Sequence, residues 1–306
     1  MSSTENLQAV TVEEARFRSA DTQLVGNLYQ PESKLGQSLP AVVVVGAWAT
    51  VKEQMATLYA REMAARGFRA LVFDFRSWGA SDGRPRSMED PFAKGEDIVA
   101  AAEYLATRPD VDRAAISGLG ICAGTAYLAT AAASSPLFSS VALIAPALPS
   151  RATVIETIDG PQGAAALRGA AAAAQEQFER TGQEQLEPAV ARTAENTVPG
   201  ADYYANPERG AIPQWDNTFN PASWLKWLDY DAQASAAELS VPLFVMHSDA
   251  AASPQSVREY VAKVRGQVDQ VWLDNVTQFD FYDRPDRVAT AADAAARHFS
   301  GRRFNH

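Results

Sequence analysis

Apolar residues follow two rhythms along this chain. Predominantly apolar runs recur at 41–45, 69–75, 114–117, 140–145 and 241–246, and the segments between them carry apolar residues at every third or fourth position. A short continuous run fits a strand buried on both faces, and the spaced pattern fits a helix with one buried stripe. The spacing predicts helices over 52–66 (Met55, Leu58, Tyr59 and Met63 on one stripe), 91–107, 125–133, 254–264 and 286–299, and a last strand over 270–273. Ahead of these, 10–18 and 24–29 read as two antiparallel strands joined by the polar turn 19–22. Strand and helix alternating in this way predict an α/β fold: a mostly parallel central sheet with helices on both faces.

The alternation stops after Pro146 and resumes at Val241. Between them, 149–236 shows no strand pattern, helical stretches at 163–181 and 186–197, and then a run of aromatics. One domain with an insertion accounts for this: 1–148 is the first part of the core, 149–236 a helical lid, and 237–306 the second part. Tyr203, Tyr204, Trp215, Phe219, Trp224 and Trp227 are expected to supply the lid's own core with at least half their number. The rest would roof an apolar substrate pocket, for which Trp215, Trp224 and Tyr204 are the named candidates.

Composition narrows the function. The 306 residues carry a net charge of −10, which gives no electrostatic support to a nucleic-acid or anionic-membrane partner. One cysteine excludes an internal disulfide and any zinc site built from several thiolates, and no phosphate-binding glycine fingerprint is present. No cofactor and no metal is expected, and the partner would be a small-molecule substrate. No apolar run reaches the ~20 residues that cross a bilayer. The polar start of the chain lacks the progression of a signal peptide, so the expected location is cytoplasmic.

The chemistry gathers at Gly120-Ile121-Cys122-Ala123-Gly124, between the run 114–117 and an Ala-rich helix. This is the layout of a nucleophile elbow, G-x-S-x-G, with cysteine in the serine position. Small residues two positions either side relieve the crowding of a sharp strand-to-helix turn, and a helix N-terminus favours a thiolate. A free cysteine in a strand–helix connection is also commonly a small buried hydrophobe.

Taken together, VVVVGAW, LVFDFRSWGASDG, GICAG, PLFVMHSD and TQFDFYD resemble the α/β-hydrolase superfamily, and within it the dienelactone-hydrolase-like enzymes, which use a Cys-His-Asp triad. The resemblance covers about 40–146 and 241 onward. It implies Cys122 as nucleophile and the N–H groups of Ala123 and Trp48 as the oxyanion hole. It places the triad acid at Asp249, which also reads as a turn residue before the helix at 254, and it admits a homodimer. It departs at the histidine, where Gln278 stands; glutamine cannot accept a proton near neutral pH.

Only His247, His298 and His306 exist. His247 shares a strand face with Asp249, although a structural hydrogen-bonded role is the ordinary one. Glu53 is a candidate partner for the resting thiol, but Thr50-Val51-Lys52-Glu53 also fits a helix capping box. The expected activity is a Cys-nucleophile hydrolase or acyl-transfer enzyme acting on an ester, lactone or thioester of a small apolar substrate. The alternatives are a non-hydrolytic cyclase, isomerase or lyase that uses the oxyanion hole and Gln278, and a catalytically silent binding protein.

Overall fold

The computed structural model describes residues 9–190 and 201–301. The chain opens with β1 (Val10–Ser19) and β2 (Thr22–Pro31), paired antiparallel from Val10↔Pro31 to Ser19↔Thr22. It continues through β3 (Leu39–Val45), α1 (Met55–Ala65), β4 (Arg69–Phe73), α2 (Pro91–Thr107), β5 (Val111–Ile121), α3 (Gly124–Ser134) and β6 (Ser140–Ile144). The insertion holds α4 (Arg151–Thr157), α5 (Gly160–Thr181), the two-residue strands β7 (Glu187–Pro188) and β8 (Thr218–Phe219), and α6 (Trp224–Trp227). The core then resumes with β9 (Leu243–Ser248), α7 (Pro254–Lys263), β10 (Val268–Leu273), α8 (Asp280–Asp283) and α9 (Pro285–Phe299).

Eight strands form one sheet in the order β1-β2-β4-β3-β5-β6-β9-β10, antiparallel at β1/β2 and β2/β4 and parallel from there on. The valine run of β3 lies near the middle and is sealed on both sides. Val43, Leu71, Leu143 and Val245 pack against α2 and α3, while Val42, Val44, Val72, Phe244 and Met246 pack against α1 and α9. Each buried valine contributes roughly 1.5–3 kcal/mol of transfer free energy, which is why both faces read as apolar in the sequence. No helix among the described residues is long and apolar enough to cross a membrane.

The insertion departs from expectation in two ways. It does contain strand: β7 and β8 pair antiparallel, so the helix expected over 186–197 is absent at its start. Residues 191–200 lie outside the described residues. The long helix α5 buries only Ala171 and Ala174, so it lies largely in solvent, with Ala174 and Phe178 facing Met88 and Ala222 across a small cavity. Trp227 and Tyr230 instead fasten the insertion to the body, meeting Tyr127 of α3 and, for Tyr230, Phe92 of α2 edge-on at 5.6 Å. Smaller shifts have local causes. α1 begins at Met55, not residue 52, because the Lys52 N–H is taken by Asp74 Oδ1 at 2.8 Å and the Val51 N–H by Gln54 Oε1 at 3.0 Å.

Candidate active site

Parallel strands deliver their C-terminal ends to one edge of the sheet, where ligands bind in open α/β folds. Here that edge collects the loops after β3, β5, β6, β9 and β10. β5 ends at Ile121, Cys122 follows with φ at +53°, and α3 starts two residues after it. A non-glycine residue in that region costs of order 1–3 kcal/mol and is kept only where its surroundings fix it. Three main-chain bonds do so: Cys122 N–H donates to Ile144 O at 3.2 Å, and its carbonyl accepts from Thr125 N–H at 3.1 Å and Ala147 N–H at 3.2 Å. The flanking glycines answer to close approach. A Cβ on Gly124 would stand 2.2 Å from Gly46 O, and one on Gly120 would stand 2.9 Å from Thr125 Cα. The elbow therefore lies directly against the loop that follows β3.

Cys122 is half-buried, packed against both core faces without being sealed between them. Four groups face its sulfur and favour its thiolate: the Tyr282 hydroxyl, the Ala123 N–H, the Gln278 side-chain amide and the Trp48 N–H. Among the described residues neither Ala123 N–H nor Trp48 N–H has a backbone carbonyl partner. All four favour the thiolate, yet burial outweighs them and pushes the thiol pKa up.

Aromatics from the insertion close over this edge. Trp215 Nε1 donates to Ala49 O at 2.7 Å, clamping the loop that carries the Trp48 amide. The Tyr204 ring lies 5.3 Å from Trp215 and 6.4 Å from Tyr282. Trp48 stacks at 4.9 Å on Phe219, which in turn meets Trp224 at 6.0 Å. Tyr204 and Trp215 thus sit beside the sulfur's neighbours, and Trp224 stands one ring further out.

The remaining candidates divide. Gln278, 8% exposed, is brought to the sulfur, but both ends of its amide are committed: Oε1 accepts from Ala252 N–H at 3.0 Å and Nε2 donates to Ala145 O at 2.9 Å. It staples the loops after β6, β9 and β10. Asp249 is not brought there. Its side chain is 72% exposed and paired with Arg258 at 2.6 Å, because the chain turns outward immediately after β9. Glu53 pairs with Lys52 Nζ at 2.7 Å and lines a cleft of about 320 Å³ whose walls do not include Cys122. It caps nothing either, since Thr50 Oγ1 turns back to Ala47 O at 2.7 Å.

His247 is fully buried, and neither ring nitrogen achieves a hydrogen bond among the described residues. The expected hydrogen-bonded histidine is instead a neutral ring packed at 5.2 Å against Trp272, its pKa lowered by burial to about 4. His298 is buried, and it contacts Pro242 O at 3.3 Å, near the start of β9 and the opposite edge of the sheet. His306 lies outside the described residues. Sequence reasoning missed Tyr282, although it stands four residues after Gln278, the spacing that places two side chains on one helical face.

A sulfur on a strained turn, beside two uncommitted amides, is a geometry that can be compared with known proteins. The family model described as alpha/beta hydrolase family matches residues 41–292. The chain belongs to the alpha/beta hydrolase family. It is 42% identical over 99 residues to the uncharacterized protein PA2218 of Pseudomonas aeruginosa, covering 32% of this chain and 27% of that one. The crystal structure of hypothetical protein PA2218 superposes with a TM-score of 0.86 at 25% identity, covering 97% of this chain and 95% of that one. A polyketide transferase of Penicillium crustosum is 34% identical over 122 residues, covering 39% of this chain and 40% of that one. A thiohydrolase of Aspergillus aculeatus is 32% identical over 119 residues, covering 39% and 36%. These sequence matches span well under half the length of each curated relative.

Proposed function

We propose that this protein catalyses acyl transfer or hydrolysis through a covalent acyl group on Cys122, taken from a thioester or a similarly activated acyl donor. The observation that carries the reading is the pair of amides, Ala123 N–H and Trp48 N–H, directed at the sulfur with no carbonyl partner. Donors so placed can hold the oxygen of a tetrahedral intermediate, and one such donor is worth about 3–4 kcal/mol of transition-state stabilisation. Attack forms the Cys122 Sγ–acyl bond and breaks the bond from the acyl carbon to the donor sulfur. The thiol proton leaves with the departing thiolate. An acceptor nucleophile or water then takes the acyl group and returns a proton to the sulfur.

The donor class follows from what the site lacks. Among the described residues, the groups that face the sulfur are a tyrosine hydroxyl, two main-chain amides and a glutamine amide, not the histidine that ordinarily relays a proton to a poor leaving group. A thiolate departs from carbon with a proton affinity close to that of the attacking thiol, so it needs no such relay. The tyrosines and tryptophans beside the sulfur favour a small apolar acyl chain. Relatives named thiohydrolase and polyketide transferase support the same chemistry.

The test is intact-protein mass spectrometry after quenching a mixture with octanoyl N-acetylcysteamine. The wild type should gain one octanoyl mass, on Cys122, that is lost with time, and Cys122→Ala should gain none. A wild type that is never acylated, or one acylated equally without Cys122, overturns the proposal.

A further inference from the structure

We infer that Glu89 is a positioning residue that ties the two halves of the oxyanion hole to each other, an inference that rests on the acyl-transfer reading above. Glu89 lies in the connection between β4 and α2 and is fully buried. Its Oε2 accepts from the Ala49 N–H at 3.1 Å, and its Oε1 accepts from the Tyr127 hydroxyl at 2.7 Å. Ala49 directly follows Trp48, whose amide is one donor. Tyr127 stands on α3, one helical turn after Ala123, whose amide is the other. A single carboxylate therefore spans the oxyanion loop and the elbow helix. Its own N–H is held by Ser223 Oγ of the insertion at 2.9 Å.

The charge at this position has a geometric reason. Lys94 Nζ bonds Glu89 Oε2 at 2.7 Å and is enclosed by the rings of Phe75, Trp78 and Tyr127 at 4.6, 5.1 and 5.4 Å. A buried ion pair is an expensive way to fill space, since apolar residues of the same volume usually serve stability as well or better. Three donors converge on this carboxylate from separate elements, however, and its two oxygens satisfy all of them at once. A leucine of similar size offers no acceptor and would release both the loop and the helix. Ala49 holds φ at +53°, so a released loop would relax away from its present course.

The experiment compares two reactions of the same sulfur. Acylation by octanoyl N-acetylcysteamine passes through an oxyanion, whereas alkylation by iodoacetamide displaces iodide at a saturated carbon and forms none. The double variant Glu89→Leu/Lys94→Met roughly keeps volume and removes the charge pair together with both acceptor oxygens. It should acylate at least tenfold more slowly at saturating donor, with half-saturation unchanged within twofold and alkylation within twofold of wild type. If this variant fails to fold, Glu89→Asp keeps the charge but is one methylene too short to span both donors, and it should show the same split. Acylation within twofold of wild type overturns the inference. Acylation and alkylation falling together also overturns it, because the role is then only structural. A wild type that alkylates but never acylates removes the acyl-transfer reading, and this inference with it.

Discussion

Replacing Gly124 by alanine tests whether the elbow and the oxyanion loop are built as one packed unit. The added Cβ would lie 2.2 Å from Gly46 O and 3.0 Å from Val45 O, both main-chain oxygens that no rotamer change can move aside. Favourable contacts of this kind begin near ~3.5 Å, so the loop and α3 must separate by more than ~1 Å. Overpacking of this severity costs about 3 kcal/mol, the upper end of the usual range. With an unfolding entropy of roughly 2.1 cal/mol/K per residue, that lowers Tm by about 5 °C. The same displacement moves the Trp48 amide away from the Ala123 amide, and the loss of one oxyanion donor slows acylation by roughly 10²-fold. Gly169 serves as the control, since a Cβ there meets nothing within 4 Å. In the middle of exposed α5, Gly169→Ala should stabilise by about 0.5–1 kcal/mol and leave acylation unchanged. Calorimetry and quench-flow acylation read both variants. A Gly124→Ala protein with unaltered Tm and acylation rate would refute the packing described here.

Three further outcomes follow from the site. The pH profile of Cys122 alkylation by iodoacetamide should inflect above the ordinary cysteine value, because burial outweighs the hydrogen bonds that favour the thiolate; an inflection below that value contradicts this. Asp249→Asn should change stability by less than about 1 kcal/mol, as for an exposed ion pair, and leave acylation within about twofold; a hundredfold loss would return Asp249 to the triad. His247 has a folded pKa lowered from 6.5 to about 4, so the stability it contributes is full above pH 6.5 and is lost as pH falls toward 4. Between pH 7 and 4.5 that amounts to about 2.5 kcal/mol. Urea unfolding at the two pH values should show His247→Phe losing less stability than wild type by that amount, and equal losses would sink the assignment.

Much of the fold was legible because its elements are locally self-consistent. The runs at 41–45, 140–145 and 241–246 became β3, β6 and β9 within two residues at each end. The Gly-x-Cys-x-Gly pattern located the strained turn because backbone approach leaves few alternatives to glycine. The side-chain chemistry was less legible where tertiary partners decide direction. Asp249 follows its strand as an acid loop should, but Arg258, nine residues on, holds it outward. Glu53 matches a capping box in spacing, yet Asp74, twenty-one positions away, draws the backbone out of helix at Lys52. Glu89 carries no local pattern at all. Its three partners come from the loop after β3, from α2 and from α3, and no window of sequence contains them together.

The central claim is that a negative oxygen bound to the Cys122 adduct rests between two main-chain amides. A crystal structure of the protein with a trifluoromethyl ketone analogue of an acyl donor bound to Cys122 measures this directly. The hemithioketal oxygen should lie about 2.7–3.1 Å from both the Trp48 N and the Ala123 N. An oxygen turned to solvent, or held by Gln278 and Tyr282 with those two amides unused, would contradict it.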